Sequence, residues 1–165
     1  MTTRVAKILL LAGVAFFYML VVFNNLTDYN SNYEFVRHVL LMDSTIPGNH
    51  GMGRALHAAW IHIAFYDCII AWEAVTAVLL WIATAGLVRV LGSSADRFNA
   101  AKRLPIIALT SSMLMWFVAF HTVGGEWFLM WQSHTWNGQE DAFRNFAEVG
   151  LVLLLILLPE AEKQP

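Results

Sequence analysis

The chain has 165 residues, of which 58% are hydrophobic and only 13% charged, and its formal net charge is −2. Soluble domains carry about 25% charged residues, and a chain of this length has too small an interior for so much apolar surface, so the composition predicts a single domain in a lipid bilayer. The slightly acidic balance gives no support to nucleic-acid binding, and the lone cysteine, Cys68, excludes an intrachain disulfide and a cysteine-based metal cluster.

Four apolar segments reach the length of about 20 residues that a helix needs to cross a bilayer. They cover residues 5–23, 55–91, 104–131 and 138–158. The first is expected to be an uncleaved anchor, since no small-residue cleavage site follows it. The second is longer than a bilayer requires and should tilt or protrude. The third contains Gly124-Gly125, which predicts a break; its position near the outer boundary favours the close approach of a neighbouring helix over a substrate site. The sequence thus predicts an all-α fold, a four-helix transmembrane bundle.

The connecting segments contain patterns that are typical of helix starts. Ser31-x-x-Glu34 matches a capping box and predicts a short helix over about residues 32–42 in the first loop. This helix should lie flat at the outer membrane interface, because its apolar residues share one side. Ser93-x-x-Asp96 predicts a second short helix in the middle loop in the same way.

Lysine and arginine are unequally shared between the two ends of the predicted bundle. Seven lie on the side of the termini and the middle loop, namely Arg4, Lys7, Arg89, Arg97, Lys102, Arg103 and Lys163. Three lie on the opposite side, namely Arg37, Arg54 and Arg144. Because cytoplasmic loops carry the excess of positive residues, both termini are expected in the cytoplasm, and the first and third loops are expected to face outward.

Glu73 lies near the middle of the second span, where an ionisable side chain is costly and is therefore a candidate functional group. At about 100° per residue, one stripe of that helix contains His62, Tyr66, Ile69, Glu73 and Thr76. The stripe should face the bundle interior, whereas Asp67 points about 120–140° away. A polar pocket, a proton path or a ligand site would use this stripe. Interhelical hydrogen bonding that fixes the packing is the alternative interpretation.

All six histidines fall on the outward side or in the outer half of the membrane. They are His38, His50, His57, His62, His121 and His134. Imidazole commonly binds zinc, copper and iron. His57 and His62 are five apart and do not share a helix face, and no His-x-x-x-His or Glu-x-x-His pair occurs, so a transition metal or haem would be held between helices. The candidate ligands are His62 and His121, with Glu126 or Glu73 nearby. Alternatively, the histidines favour the interface without binding a metal.

Three charged residues at the start of the fourth span are spaced three and four apart. Asp141, Arg144 and Glu148 therefore predict a charge ladder on one face of that helix. Such a ladder lets Glu148 enter the membrane edge as a paired group, and stability alone is enough to explain it.

Several strings extend over nearly the whole chain and resemble one known family. They are Asn24-Asn25-x-Thr27-Asp28-Tyr29, Phe35-Val36-x-His38-Val39-Leu40-x-Met42-Asp43, Ala71-Trp72-Glu73-x-x-Thr76-Ala77, Gly124-Gly125-Glu126-Trp127-Phe128-x-Met130-Trp131-Gln132-Ser133 and Trp136-Asn137-Gly138-Gln139. The family is that of bacterial predicted small integral membrane proteins, domain of unknown function 2165. The resemblance implies a four-span protein of the bacterial inner membrane, and it implies no activity or catalytic residue.

The sequence lacks the common catalytic motifs, so a non-enzymatic role is favoured. The leading hypothesis is an accessory or structural protein that binds a membrane-protein partner, or a second copy, through an outer cap. The candidate cap residues are Asn24, Asn25, Asp28, His38, Trp127, Trp131, Gln132, Trp136 and Asn137. The tryptophans among them also fit an interfacial aromatic belt. The alternatives are a metal- or haem-binding module and a small proton-coupled transporter that uses Glu73.

Overall fold

A computed structural model of the chain describes residues 1–161; Lys163, which the charge count includes, lies outside them. Residues 1–161 form helices and no β-strand, which confirms the all-α prediction. The α-helices are α1 (Thr2–Thr27), α2 (Tyr29–Leu41), α3 (Ala59–Arg89), α4 (Ala95–Ala101), α5 (Arg103–Leu114) and α6 (Gln139–Leu157). A π-helix, Met115–Trp127, continues α5, and short 3-10 turns cover Met52–Arg54 and Met130–Gln132.

Within residues 1–161, three helical segments are long and apolar enough to cross a membrane. They are Thr2–Thr27, Ala59–Arg89 and Ala95–Trp127. The fourth predicted span corresponds to α6, which has 19 residues and carries acidic side chains in its first turn. Although α6 is more polar than the other three, it packs against α1, α5 and the π-helix. The helical membrane architecture is thus shown, and the count of four spans stays a prediction.

The main core lies between α1, α3, α5 and α6. Each helix contributes a fully buried side chain to it, and these are Tyr18, Leu80, Leu109 and Ile156. The opposite faces of the helices are apolar as well as exposed, with examples at Leu9, Phe16, Val78, Leu151 and Leu154. An apolar exterior of this extent fits contact with lipid rather than with water.

A second core lies under the end of the bundle that holds α2, residues 42–58 and residues 128–138, here named the cap end. Leu40 and Met42 pack there against Tyr66 of α3 and against Phe128 and Met130. Helix α2 begins at Tyr29, and only Asp28 separates it from the end of α1. The predicted start near residue 32 is wrong, because Ser31 bonds to the Asp28 carboxylate at 2.7 Å instead of capping the helix.

The opposite end, here named the terminal end, holds residues 1–7, 90–102 and 158–161. Lys7 Nζ donates to the Leu158 carbonyl and to Glu160 Oε1, both at 2.6 Å. Arg4 donates to the carbonyls of Leu91 and Ser93 at 2.9 and 2.6 Å. These bonds tie the start of α1 to the segment after α6 and to the middle loop, so both described chain ends lie at the same end of the bundle.

Glu160 is the acidic residue that lies among the basic side chains of Arg4, Lys7 and Lys102. Burial acts to raise its pKa, but the hydrogen bond from Lys7 and the charges of Lys7, Lys102 and Arg4 outweigh burial, so the pKa of Glu160 is lowered from its ordinary value. The C-terminal segment is therefore held by an ionised group among three cations.

The predicted break at Gly124-Gly125 is wrong, because the π-helix continues through both glycines to Trp127. Its wider turn joins residues five apart, as in the bond from Phe128 N to Val123 O at 3.0 Å. A Cβ on Gly125 would collide with the Gln139 side chain at the start of α6. Gly125 therefore lies where the Gln139 side chain approaches the π-helix, and the helix is not interrupted there.

Candidate functional site

The polar stripe predicted on α3 faces the bundle interior, as expected. His62, Tyr66, Glu73 and Thr76 are all buried, and Glu73 is only 3% exposed. Ile69 is half-buried at the edge of the stripe. The 3.6-residue repeat of an α-helix explains this result, because these side chains fall on one side of α3 and the lipid-facing side is left to apolar residues.

Asn25 of α1 holds the Glu73 carboxylate in place. Its Nδ2 donates to Glu73 Oε2 at 2.6 Å. Its Oδ1 accepts from Asn32 Nδ2 at 2.6 Å and from Tyr66 Oη at 3.2 Å. These bonds fix the orientation of the amide and connect three helices, α1, α2 and α3. Among residues 1–161, no group donates to the second carboxylate oxygen, Oε1 of Glu73.

Glu73 and Asn25 line a cavity of about 220 Å³ between α1, α2, α3, the π-helix and α6. Asn32 and Asp141 are exposed and lie at its mouth, whereas Glu73 and Asn25 are buried. Aromatic rings form part of the wall, contributed by Phe35, Trp116 and Phe120. The cavity, here named the Glu73 cavity, leads from polar groups at the surface to a carboxylate in the core.

Two hydroxyl-centred contacts hold tryptophan side chains between the helices, and one of these side chains, Trp116, lines the Glu73 cavity. Tyr18 Oη and Ser112 Oγ share a hydrogen bond at 2.6 Å, and Trp116 Nε1 donates to the same Tyr18 Oη at 2.8 Å. Trp72 Nε1 donates to Ser111 Oγ at 2.9 Å. Because the indole N–H of Trp116 is hydrogen-bonded to Tyr18, its ring is held in one position beside the cavity.

The histidines proposed as ligands have separate neighbours. His62 Nε2 bonds to the Leu56 carbonyl at 2.7 Å, which ties the start of α3 to the preceding loop. His121 lies between the rings of Phe117 and Phe143, and its buried Nε2 has no partner within the described chain. No three His, Cys, Asp or Glu side chains of the described residues form a metal-binding group. A haem held by two histidines stays a prediction.

Glu126 is exposed at the end of the π-helix and is not among the residues that line the Glu73 cavity. Its carbonyl and that of Trp127 accept hydrogen bonds from Arg54, at 3.4 and 3.1 Å. The guanidinium of Arg54 also lies over the Trp127 ring at 5.1 Å. This contact joins the first and third loops of the predicted topology.

Other residues of the predicted cap make structural contacts at the cap end. The His38 ring stacks on Trp136 with 4.6 Å between centroids, and its Nδ1 bonds to Asp43 at 2.7 Å. Gln132 Oε1 accepts from the backbone of Ile46 at 3.1 Å. These bonds bind residues 42–58 to residues 128–138, so the cap end is a single ordered surface.

The remaining cap candidates divide between helix ends and exposed rings. Asn24 accepts the backbone N–H of Asp28 at the end of α1, and Asn137 Oδ1 accepts that of Gln139 at the start of α6. Trp127 and Trp131 are 55% and 48% exposed. Asn25 departs from the prediction, because it lies beneath the cap and belongs to the Glu73 cavity.

Asp67 points away from the stripe, as predicted, towards the start of α2. Tyr29 Oη donates to Asp67 Oδ1 at 2.8 Å. Partial burial, together with this hydrogen bond and the charge of Asp67, raises the pKa of Tyr29 to about 12. The pair therefore links α2 to α3 at the cap end.

Sequence reasoning missed the groups at the mouth of the Glu73 cavity. Asp141 was assigned to a charge ladder, and its pairing with Arg144 at 2.8 Å agrees with part of that ladder. Asp141 and Asn145 also line the cavity, as does Asn32 on α2. Their spacing of four on α6 places Asp141 and Asn145 on one face, but only the packing of α6 shows that this face meets Glu73.

An apolar groove lies on the other side of the same wall. Its volume is about 270 Å³, and Phe35, Val36, Ile69 and Phe120 line both spaces. The groove also includes Cys68, the lone cysteine, whose side chain is exposed. The two spaces differ in chemistry, since the groove is lined by no charged side chain from residues 1–161.

Long apolar helices with a lipid-facing exterior, closed around a buried carboxylate, define a small helical integral membrane protein. The family model described as predicted small integral membrane protein (DUF2165) matches residues 3–159. The chain belongs to this family, which confirms the resemblance found in the sequence. No curated protein and no solved structure matches the chain.

Proposed function

We propose that this protein is a proton-linked carrier that crosses the bacterial inner membrane with four spans. It binds a small polar solute in the Glu73 cavity. One observation supports the proposal above the others. A carboxylate that is 3% exposed keeps one oxygen without a donor among residues 1–161, at a cavity that leads to exposed polar groups. Ionisable groups inside membrane proteins mark solute and proton paths by default.

The packing of α6 supports the four-span topology. Its 19 residues extend about 28 Å at 1.5 Å per residue, close to the hydrocarbon thickness of about 30 Å. Its acidic residues Glu140 and Asp141 lie in the first turn, at the cap end. With four spans, the start of α1 and the end of α6 lie on one side. The excess of Lys and Arg at the terminal end then favours cytoplasmic termini.

The alternative explanation for Glu73 is hydrogen bonding that only fixes the helix packing. An interhelical polar contact of that kind contributes about 0.6 kcal/mol on average. An ionised carboxylate costs several kcal/mol to bury unless a positive partner or a proton neutralises it. The bond from Asn25 is neutral and engages one oxygen. A purely structural role does not require Glu73 to line a cavity, whereas a solute or proton site does.

The test is the thermal stability of detergent-purified protein in the presence of small amines, alcohols and carboxylates. A solute at 100 times its Kd stabilises the folded state by about 2.7 kcal/mol. We expect at least one class to raise the Tm of the wild type and of Glu148→Gln, an exposed acid on α6 outside the cavity lining. The same solute should leave the Tm of Glu73→Gln unchanged.

Reconstitution into liposomes tests the carrier function separately. The solute that stabilises the protein should move inward with a counter-movement of protons in wild-type vesicles and not in Glu73→Gln vesicles. If no class of solute stabilises the wild type, or if Glu73→Gln responds as the wild type does, Glu73 is a packing residue and the proposal is wrong.

An accessory role at the cap end is the second candidate, and the exposed Trp127 and Trp131 favour it. Both rings lie on a surface whose loops are tied together by Arg54 and Gln132. Ordered aromatic side chains are common at the centres of protein interfaces. Purification from the native membrane should then recover a stoichiometric partner, which Trp127→Ser/Trp131→Ser should lose. Recovery of the protein alone would refute this role.

A further inference from the structure

We infer that the solute of the Glu73 cavity is a small organic cation of the ammonium class, an inference that rests on the proposed function. The first reason is charge. Of the twelve lining residues, all in the part of the chain that the structure describes, two are carboxylates and none is Lys, Arg or His. A site for an anion would require the opposite balance.

Glu73 supplies most of the negative character of the cavity. Asp141 lies at the mouth, and Arg144, which points to the exposed side of α6, pairs with its Oδ1 at 2.8 Å. Glu73 is buried and has the neutral Asn25 as its donor. Because the Coulomb energy rises as the local dielectric falls, the Glu73 carboxylate in its ionised form attracts a cation more strongly than the paired Asp141 does.

The amides at the mouth keep acceptor oxygens for a ligand. Asn32 Nδ2 donates to Asn25 Oδ1, and Asn145 Nδ2 donates to the Asp141 carbonyl at 2.9 Å. Each amide therefore retains its oxygen and one of its two N–H groups. Together with the Glu73 carboxylate, these oxygens give the cavity lining several acceptors. A ligand with a positive charge and N–H or polarised C–H groups complements this surface.

The aromatic wall distinguishes an organic cation from a metal ion. Phe35, Trp116 and Phe120 line the cavity, and aromatic faces attract ammonium groups, with tryptophan the strongest of them. Hard metal ions instead take six or more oxygen ligands. The volume of about 220 Å³ lies below the roughly 300–1,000 Å³ of sites for drug-sized molecules. The expected ligand is thus a compact ammonium compound.

Calorimetric titration of the full-length protein in lipid nanodiscs tests the charge directly. The probes are choline chloride and its neutral isostere 3,3-dimethylbutan-1-ol, which have nearly the same shape. We expect choline to bind the wild type at least about tenfold more tightly, a ratio that corresponds to about 1.4 kcal/mol. The carboxylate 3,3-dimethylbutanoate should not bind.

Two variants and one control locate the effect in the cavity. Glu73→Gln should remove the preference for choline over the isostere. Phe120→Leu should weaken choline binding about three- to tenfold and leave the isostere nearly unchanged, because cation–π attraction acts on the charge. Phe120→Leu keeps the carboxylate, so it remains informative if Glu73→Gln fails to fold. Glu148→Gln should bind choline as the wild type does.

The outcomes separate the inference from the proposed function. If the isostere or the carboxylate binds as well as choline and Glu73→Gln abolishes that binding, the solute site stands and the cation inference is wrong. If none of the three probes binds, while another solute stabilises the wild type but not Glu73→Gln, the cation inference alone is wrong. If no solute of any class binds, both fail.

Discussion

Removal of one hydroxyl, in Tyr18→Phe, should destabilise the protein more than an average polar contact in a membrane would suggest. Tyr18 is fully buried, and its Oη accepts from Trp116 Nε1 at 2.8 Å. The substitution leaves the side-chain volume almost unchanged, but the indole N–H of Trp116 loses its acceptor. Ser112, in contrast, can turn its hydroxyl to a carbonyl of its own helix. An unpaired buried donor costs about 1–3 kcal/mol, against about 0.6 kcal/mol for the average interhelical contact.

The assay is reversible unfolding in mixed micelles, with Tyr33→Phe as the matched control. Tyr33 is half-buried, and its hydroxyl makes no hydrogen bond within the described chain. Tyr18→Phe should lower the free energy of unfolding by about 1–3 kcal/mol, and Tyr33→Phe by much less. An equal loss in both variants would refute the idea that Tyr18 fixes Trp116.

Two further predictions concern the ends of the bundle. Because the pKa of Glu160 is lowered in the folded protein, its carboxylate stabilises the fold above the ordinary value of about 4.3, and the stabilisation is lost as the pH falls through the lowered value. The Tm difference between the wild type and Glu160→Gln should therefore shrink on acidification below about pH 4, and a constant difference would contradict this. Gly138→Ala would place a Cβ 2.8 Å from Phe35 Cζ, so it should lower stability by about 1–3 kcal/mol in the same unfolding assay. Gly86→Ala is the control, since its Cβ meets no atom of the described chain within 4 Å, and it should stabilise the helix by about 0.5–1 kcal/mol. Similar effects of the two substitutions would exclude a close contact at Gly138.

The positions of the long helices can be predicted from the sequence, and so can the inward-facing stripe of α3. Each depends on a pattern of residues within one helix. Apolar length predicts a membrane helix, and the 3.6-residue repeat places His62, Tyr66 and Glu73 on one side. Both depend only on residues within a single helix, so the sequence contains the information. The family membership was also visible in short strings such as Gly124-Gly125-Glu126-Trp127.

The Glu73 cavity could be predicted only in part, because it depends on contacts between helices. Glu73 stood out as a costly group in a span, but Asn25 was assigned to the cap and Asp141 to a ladder. Their common site arises from the way α1 and α6 pack around α3. The π-helix was missed for the same reason, since a bond between residues five apart is selected by packing rather than by local preference. It carries Trp116 and Phe120 into the cavity wall.

The hydrogen bonds at the terminal end have a consequence for biogenesis. Lys7 lies on α1, whereas its partners Leu158 and Glu160 follow α6, so about 150 residues are made between the two. During synthesis the ammonium group must keep water or lipid headgroups as partners until α6 is inserted, since a buried unpaired charge is costly. Closure of the bundle is therefore a late event, and truncation before residue 158 should leave the first helix inserted but loosely attached.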